Sequence, residues 1–335
     1  MRLLRRLTIL ISLLAVLAAG LWLAAATLAE RGLRAALTAP DSVLSAADVQ
    51  GTGFPGPLHL RLDRPVLTDP NGTWVWTAPT ADVSVSLPAR ARLNLPRDQV
   101  IMLGGAAIPL RAEAMRADLT LAPRPDLRLR RVALHGQAIR LGGADQPLAQ
   151  AAQIDADLTQ GRGEPVSDLT LALRDVTLPP ALTALLPDAS LPAAVSSLDG
   201  VARLHLDRPL DRQAGNGAPL RLMAVELMAA RLEWGPLSVS AEGRIAADAQ
   251  GQAEGRVMLR LTGWRALLPL LSASGAVRPQ LLPTVENALT RLETTPPEGG
   301  PPRLDLPLIL ANGRASLGPL PLGPAPQFWV ADHLQ

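Results

Sequence analysis

The chain contains no cysteine, no lysine and no tyrosine. Without cysteine there is no disulfide framework, no thiolate nucleophile and no cysteine-based metal site, so burial and backbone pairing alone must hold the fold. Without lysine, Schiff-base chemistry, a Ser-Lys pair and a phosphate-binding P-loop are all excluded. Aromatics are scarce, with 6 Trp and 2 Phe in 335 residues, which leaves Leu, Val and Ala to build the core. The 32 Pro and 27 Gly argue against long helices over most of the chain. All 32 cations are arginine, so little titrates between His and Arg, and a net charge of only +2 lifts the pI to about 10.5. Setting aside Arg2, Arg5 and Arg6 leaves 29 basic against 30 acidic residues. That balance gives no electrostatic footprint for nucleic acid.

The first feature that is present is an uncharged run of 23 residues, 7–29, preceded by those three arginines and followed by Glu30 and Arg31. As a helix it spans roughly 34 Å, enough to cross the apolar part of a bilayer. It is longer than the core of a cleaved signal peptide, although its runs of small residues could also offer a cleavage site. The expectation is a retained single-pass anchor in the inner membrane. Residues 1–6 then stay in the cytoplasm and the rest of the chain is periplasmic. Residues 30–48 form a juxtamembrane helix or linker, with Pro40 ending any helix.

From residue 49 the hydrophobic period changes to two. Leu58, Leu60 and Leu62 alternate with His59 and Arg61; Val83, Val85 and Leu87 alternate with Ser84 and Ser86; Ile154, Ala156 and Leu158 alternate with Asp155 and Asp157. Each is a strand with one apolar and one wet face. The expected fold is mainly β with a few short helices, a curved antiparallel sheet behind the transmembrane helix. Residues 49–178 form a first β-rich half and 179–200 a Pro-rich crossover with a short helix at 181–186. Residues 201–335 form a second half with helices at 264–273 and 284–293 and a Pro-rich tail. In the second helix Val285, Leu289 and Leu292 share a face. A loose echo suggests two related halves: Leu62-Asp63-Arg64-Pro65 against Leu206-Asp207-Arg208-Pro209, and Trp76-Thr77-Ala78-Pro79 against Trp234-Gly235-Pro236.

Candidate chemistry is thin. The stretch from Gly51 to Gly56 fits G-x-G-x-x-G by letter, but Pro55, Pro57 and a strand follow where a dinucleotide site needs a helix. The four histidines lack metal-ligand spacing, and His59 and His205 fall on the polar phase of their strands. Asp155 and Asp157 share a wet face with no His, Lys or Tyr nearby in sequence to separate their pKa values. No catalytic, cofactor-binding or metal site is expected. Phe54, Trp74, Trp76 and Trp234 are the candidate groove or membrane-edge contacts; for Trp74 and Trp76, which share a strand face, packing in a core short of aromatics is the preferred role. The remaining candidate is the aliphatic sheet surface, either closed as a sandwich or open as a groove that suits acyl chains.

The order of anchor, Gly53-Phe54-Pro55, the Trp74/Trp76-Ala78-Pro79 strand, Trp234-Gly235-Pro236 and the ending Asn312-Gly313-Arg314 to Leu317-Gly318-Pro319-Leu320 resembles the bacterial domain-of-unknown-function family 2125. That family is distantly similar to the AsmA-like envelope proteins. The resemblance implies a single-anchored, periplasmic, β-rich protein of envelope homeostasis and transfers no catalytic residue. The expected partners are the inner membrane, phospholipid or another lipid, and envelope proteins. The competing expectation is an envelope scaffold that binds a protein through a sheet edge or the Pro-rich tail, without lipid.

Overall fold

The computed structural model describes residues 44–52, 58–68, 74–86, 89–123, 128–145, 147–161, 165–184, 191–211, 220–273, 277–295, 299–318 and 320–329. The expected anchor at 7–29 and Phe54 lie outside the described residues. So do residues 185–190, which include the last two residues of the expected helix at 181–186. Among the described residues no helix is long and apolar enough to cross a membrane.

One antiparallel sheet contains every strand among the described residues, and its first part is creased. Five chain segments each form a strand, break for two residues and resume. They are β1 (Leu44–Ser45) with β2 (Asp48–Thr52), β3 (Leu58–Asp63) with β4 (Val66–Thr68), and β5 (Trp74–Thr77) with β6 (Thr80–Ser86). Then come β7 (Arg90–Leu95) with β8 (Asp98–Leu103), and β9 (Ala106–Arg111) with β10 (Ala114–Leu121). The chain turns sharply at each break, at residues 46–47, 64–65, 78–79, 96–97 and 112–113. On one side of the breaks the order is β2-β3-β6-β7-β10, and on the other β1-β4-β5-β8-β9. The breaks therefore line up across the sheet into a crease between a longer and a shorter panel.

Backbone hydrogen bonds cross at the crease, for example from Arg64 N to the Pro79 carbonyl and from Ala78 N to the Pro65 carbonyl. Polar backbone that leaves the ladder there is still satisfied, as burial requires. Pro65, Ala78 and Ala112 are buried along this line. Pro65, Pro79 and Pro96 suit it because proline cannot donate to a ladder.

Strand β11 (Leu129–Gly142) carries both panels on one edge: β10 pairs with residues up to Gln137, and β9 with Arg140 and Leu141. Between them Ala138 takes φ 49°, the left-handed value that bends the strand where the crease reaches it. From here the sheet is a meander of long strands. These are β12 (Pro147–Gln160), β13 (Val166–Thr177), β14 (Ala194–Leu206), β15 (Leu222–Trp234), β16 (Leu237–Ala247) and β17 (Ala253–Thr262). Two helices, α2 (Leu268–Ala273) and α3 (Leu282–Thr290), interrupt the meander after a 3-10 turn at Trp264–Leu267. A short β18 (Glu293–Thr294) leads into β19 (Arg303–Ala311), which pairs with β17. β20 (Arg314–Leu317) and β21 (Leu320–Pro324) finish it.

The mainly β character and the short helices agree with the sequence reading, and several finer expectations do not. Residues 179–200 already contain the start of β14 at Ala194, and β14 pairs directly with β13, the connection between them carrying α1 (Pro180–Thr183). Hydrogen bonding along two long neighbouring strands outweighs the proline content of the connection. Leu44 and Ser45, inside the expected linker, are strand. Helix α3 stops at Thr290, so Leu289 is buried while Leu292 lies beyond the helix and is 46% exposed. The echoed motifs occupy different places. Arg64-Pro65 and Ala78-Pro79 sit at the crease, whereas Arg208-Pro209 follows the end of β14 and Gly235-Pro236 is a tight hairpin turn.

Candidate functional site

In an antiparallel sheet, directly opposed residues share a face. Following one row from strand to strand therefore maps a surface. The central row starts Gly51, Leu60, Val83, Leu93, Ala117, Leu134. It continues through Ala156, Leu171, Gly200, Ala230, Ala241, Leu259 and Leu306. No polar side chain interrupts it over thirteen strands, a path of roughly 58 Å at about 4.8 Å per strand. A second row runs Leu119, Val132, Leu158, Leu169, Ala202, Leu227. A third runs Met115, Gly136, Ile154, Leu173, Leu198, Leu232. The wide aliphatic face follows from the period-two pattern alone.

Cover is uneven along this face. At the first strands Val49, Leu60, Leu62 and Ala81 form a buried core. At the last strands α2, α3 and the turn before them cover it, with Trp264, Leu289, Leu304 and Leu306 buried together. A neighbouring cluster joins Leu191, Val195, Trp234 and Leu237. Between these ends, on β11 to β14, Val132, Leu134, Ile154, Ala156, Leu158, Leu169, Leu171, Leu173 and Leu198 are all half-buried. They belong to none of those cores. One end of this stretch is closed by residues 207–211, which cross back from β14 so that the Leu210 carbonyl accepts from Leu129 N at 2.8 Å. Ser167, on the same face, is fully buried there. The middle of this face is thus a half-buried aliphatic strip between two covered ends, a trough in that sense.

The opposite face carries charge in cross-strand pairs. Arg92 meets Asp118 at 2.6 Å, Arg131 meets Asp157 at 2.6 Å and Arg203 meets Asp168 at 2.8 Å. Arg92–Asp118 and Arg203–Asp168 are directly opposed, and Arg131 reaches Asp157 diagonally, so each pair joins adjacent strands and offsets the charge of a carboxylate. Such exposed pairs are each worth about 0.2–1 kcal/mol.

His135 Nδ1 lies 2.6 Å from Asp155 Oδ1, and Gln153 donates to the other oxygen of Asp155. These residues line a cleft of about 660 Å³ together with Arg116 and Gln137. Strand register, not sequence proximity, brings His135 to Asp155. The His135 hydrogen bond, aided by Gln153, holds the Asp155 carboxyl below its usual value against a smaller opposing effect of burial. A depressed folded-state pKa adds stability that is present above the unfolded value near 3.9 and is lost as pH falls through the folded value. Asp155→Asn should therefore cost about 0.5 kcal/mol at neutral pH and nothing in strong acid. Urea melts of both proteins at neutral and acid pH check this; a cost that is unchanged in acid contradicts it. Among the described residues no three His, Asp or Glu side chains cluster as a metal site.

Of the four aromatic candidates, Trp234 is buried and its indole N–H donates to the Pro192 carbonyl at 2.7 Å, so it packs in the interior. Trp76 donates to the side-chain oxygen of buried Gln99 at 2.8 Å. Gln99 returns a hydrogen bond to the Pro96 carbonyl at the crease. Trp76 is thereby pinned beside the bend. Trp74, two residues earlier on the same face, is 37% exposed.

A family model described as an uncharacterized protein conserved in bacteria, domain of unknown function 2125, matches residues 22–326. The chain belongs to this family. No curated protein matches it. The match covers both panels, the meander and both late helices, so the aliphatic trough and the ion-paired face lie within the family's matched region.

Proposed function

We propose that this member of the domain-of-unknown-function family 2125 is a non-enzymatic, membrane-anchored protein of the bacterial cell envelope. In this reading it holds lipid acyl chains on the aliphatic face of its sheet. The observation that carries it is the half-buried middle of that face, three aliphatic rows wide, on strands whose opposite face is ion-paired. An acyl chain needs only contiguous apolar surface, and each buried methylene adds about 0.8 kcal/mol. The three rows themselves carry no polar side chain to orient a reacting group, which suits holding or passing a chain more than transforming it. The uncharged run at 7–29 supplies the membrane attachment, with the rest of the chain in the periplasm of the inner-membrane face, the AsmA-like setting.

Protein lacking residues 1–29, purified without detergent, should yield phospholipid by extraction and mass spectrometry. Lipid-free protein that gains no thermal stability from added phospholipid overturns the reading. The scaffold alternative through the Pro-rich end has less support. Residues 325–328 fold back on the turn between β16 and β17, where Ala253 N donates to the Pro326 carbonyl and Phe328 N to the Gly251 carbonyl.

A further inference from the structure

We propose that the tip of the shorter panel, formed by the β8–β9 hairpin and the start of β5, seats in the surface of a lipid bilayer. Residues 99–110 carry no charge. Strands β8 and β9 are joined by the two-residue turn Gly104-Gly105, whose φ values of 55° and 84° fit the turn type that matches strand twist. At that tip Leu103 is 51% exposed and Met102 is 40% exposed. Trp74 lies directly opposite Leu103, and residues 104–107 are exposed as well. Two other exposed turns differ: the β16–β17 turn carries Asp248 and the β19–β20 turn leads into Arg314. An exposed, uncharged tip edged by tryptophan has the composition that the bilayer interface favours.

The direction of β1 selects the bilayer as the occupant. β1 and β5 are both antiparallel to β4, so they run the same way, from the tip toward the crease. Leu44 aligns through Leu67 with Trp76. The chain before Leu44 therefore joins the sheet from the tip side. Only residues 30–43 separate β1 from the uncharged run at 7–29. Fully extended, they reach about 50 Å at most. This part of the argument rests on the anchor reading given under Proposed function, and places the uncharged tip at the end of the sheet nearest the membrane.

Because the chain has no cysteine, a nitroxide attached to Leu103→Cys reports a unique position. Ala106→Cys gives a second probe of the tip and Ala249→Cys a control on the β16–β17 turn. The full chain is reconstituted into vesicles of equimolar phosphatidylethanolamine and phosphatidylglycerol. Collision with oxygen, which concentrates in lipid, is then compared with collision with a water-soluble nickel chelate. Expected is a several-fold rise in the oxygen-to-nickel ratio at 103 and 106, with no change at 249. A tip label as wet as the control overturns the proposal. A label shielded from both reagents and broadened by a second label also overturns it, since that assigns the tip to a second copy of the chain. An alkaline wash of the same vesicles tests the anchor separately. Retained protein with a wet tip defeats only the tip proposal, and protein that washes off but shows lipid at 103 defeats only the anchor.

Discussion

Leu171→Glu is expected to strip bound lipid from the protein while leaving the sheet folded. Leu171 lies in the central row of the trough, between Ala156 on β12 and Gly200 on β14, and is half-buried. Removing its side chain forfeits about 1.5–3 kcal/mol of apolar contact. A carboxylate under an acyl chain must also be desolvated, which costs several kcal/mol more. Together these exceed about 3 kcal/mol, or roughly a hundredfold in affinity. Empty protein keeps its fold because the substituted position belongs to neither terminal core and the new charge reaches water through the open trough. The matched control is Ser240→Glu on the opposite face, where the neighbours across the ladder are Arg231 and Arg260. Lipid extracted per mole of protein, alongside thermal unfolding, reads both effects. Equal lipid content in the two variants would falsify the trough as the binding surface.

The largest loss of stability is expected from Trp264→Ala. Trp264 is 2% exposed and packs with Leu261, Leu289, Leu304 and Leu306. Its indole N–H donates to Glu293 at 2.8 Å, and the Arg265 guanidinium stacks on its ring 4.6 Å from the centroid while binding the same carboxylate. The Arg265 and Trp264 hydrogen bonds hold the Glu293 carboxyl below its ordinary range. One ring thus joins α3, the turn before α2 and strands β17 and β19. Truncating a buried tryptophan costs about 3–5 kcal/mol, a large part of the 5–15 kcal/mol by which domains are stable. Trp264→Phe keeps most of the packing and gives up one charge-assisted hydrogen bond, so it should cost about 1.5–3 kcal/mol. The ordering of the two variants in urea denaturation checks the assignment; a Phe variant as unstable as the Ala variant would place the hydrogen bond above packing.

The strands and their apolar face were legible in the sequence because period-two alternation is a local property, and Leu58-Leu60-Leu62 or Ile154-Ala156-Leu158 states it within five residues. What was not legible depends on register. His135 and Asp155 are 20 residues apart and meet only because β11 and β12 pair with those two positions opposed. The crease is similar. Pro65, Pro79 and Pro96 announce interruptions one at a time, but Ala46-Ala47 and Ala112-Glu113 carry no such signal, and only strand pairing shows that all five breaks lie on one line. The hydrogen-bond partner of Trp76, Gln99, is 23 residues away and is likewise supplied by strand pairing. The span of α3 was overestimated because Leu292 continues the apolar phase after the helix has ended. The anchor and Phe54 lie outside the described residues.

The meander from β11 to β17 has a consequence for how such a protein can change over evolutionary time. Each long strand pairs with its immediate successor, and every second residue faces the trough. Inserting or deleting one hairpin, two strands at once, leaves the direction of every other strand and the facing of every other side chain intact. Each such event alters the trough by roughly 10 Å, two strand spacings. A single added strand would reverse the direction of all that follow and displace the helices that close the far end. The architecture thus behaves like a ruler graduated in hairpins, along which reach can be adjusted without redesigning the core at either end.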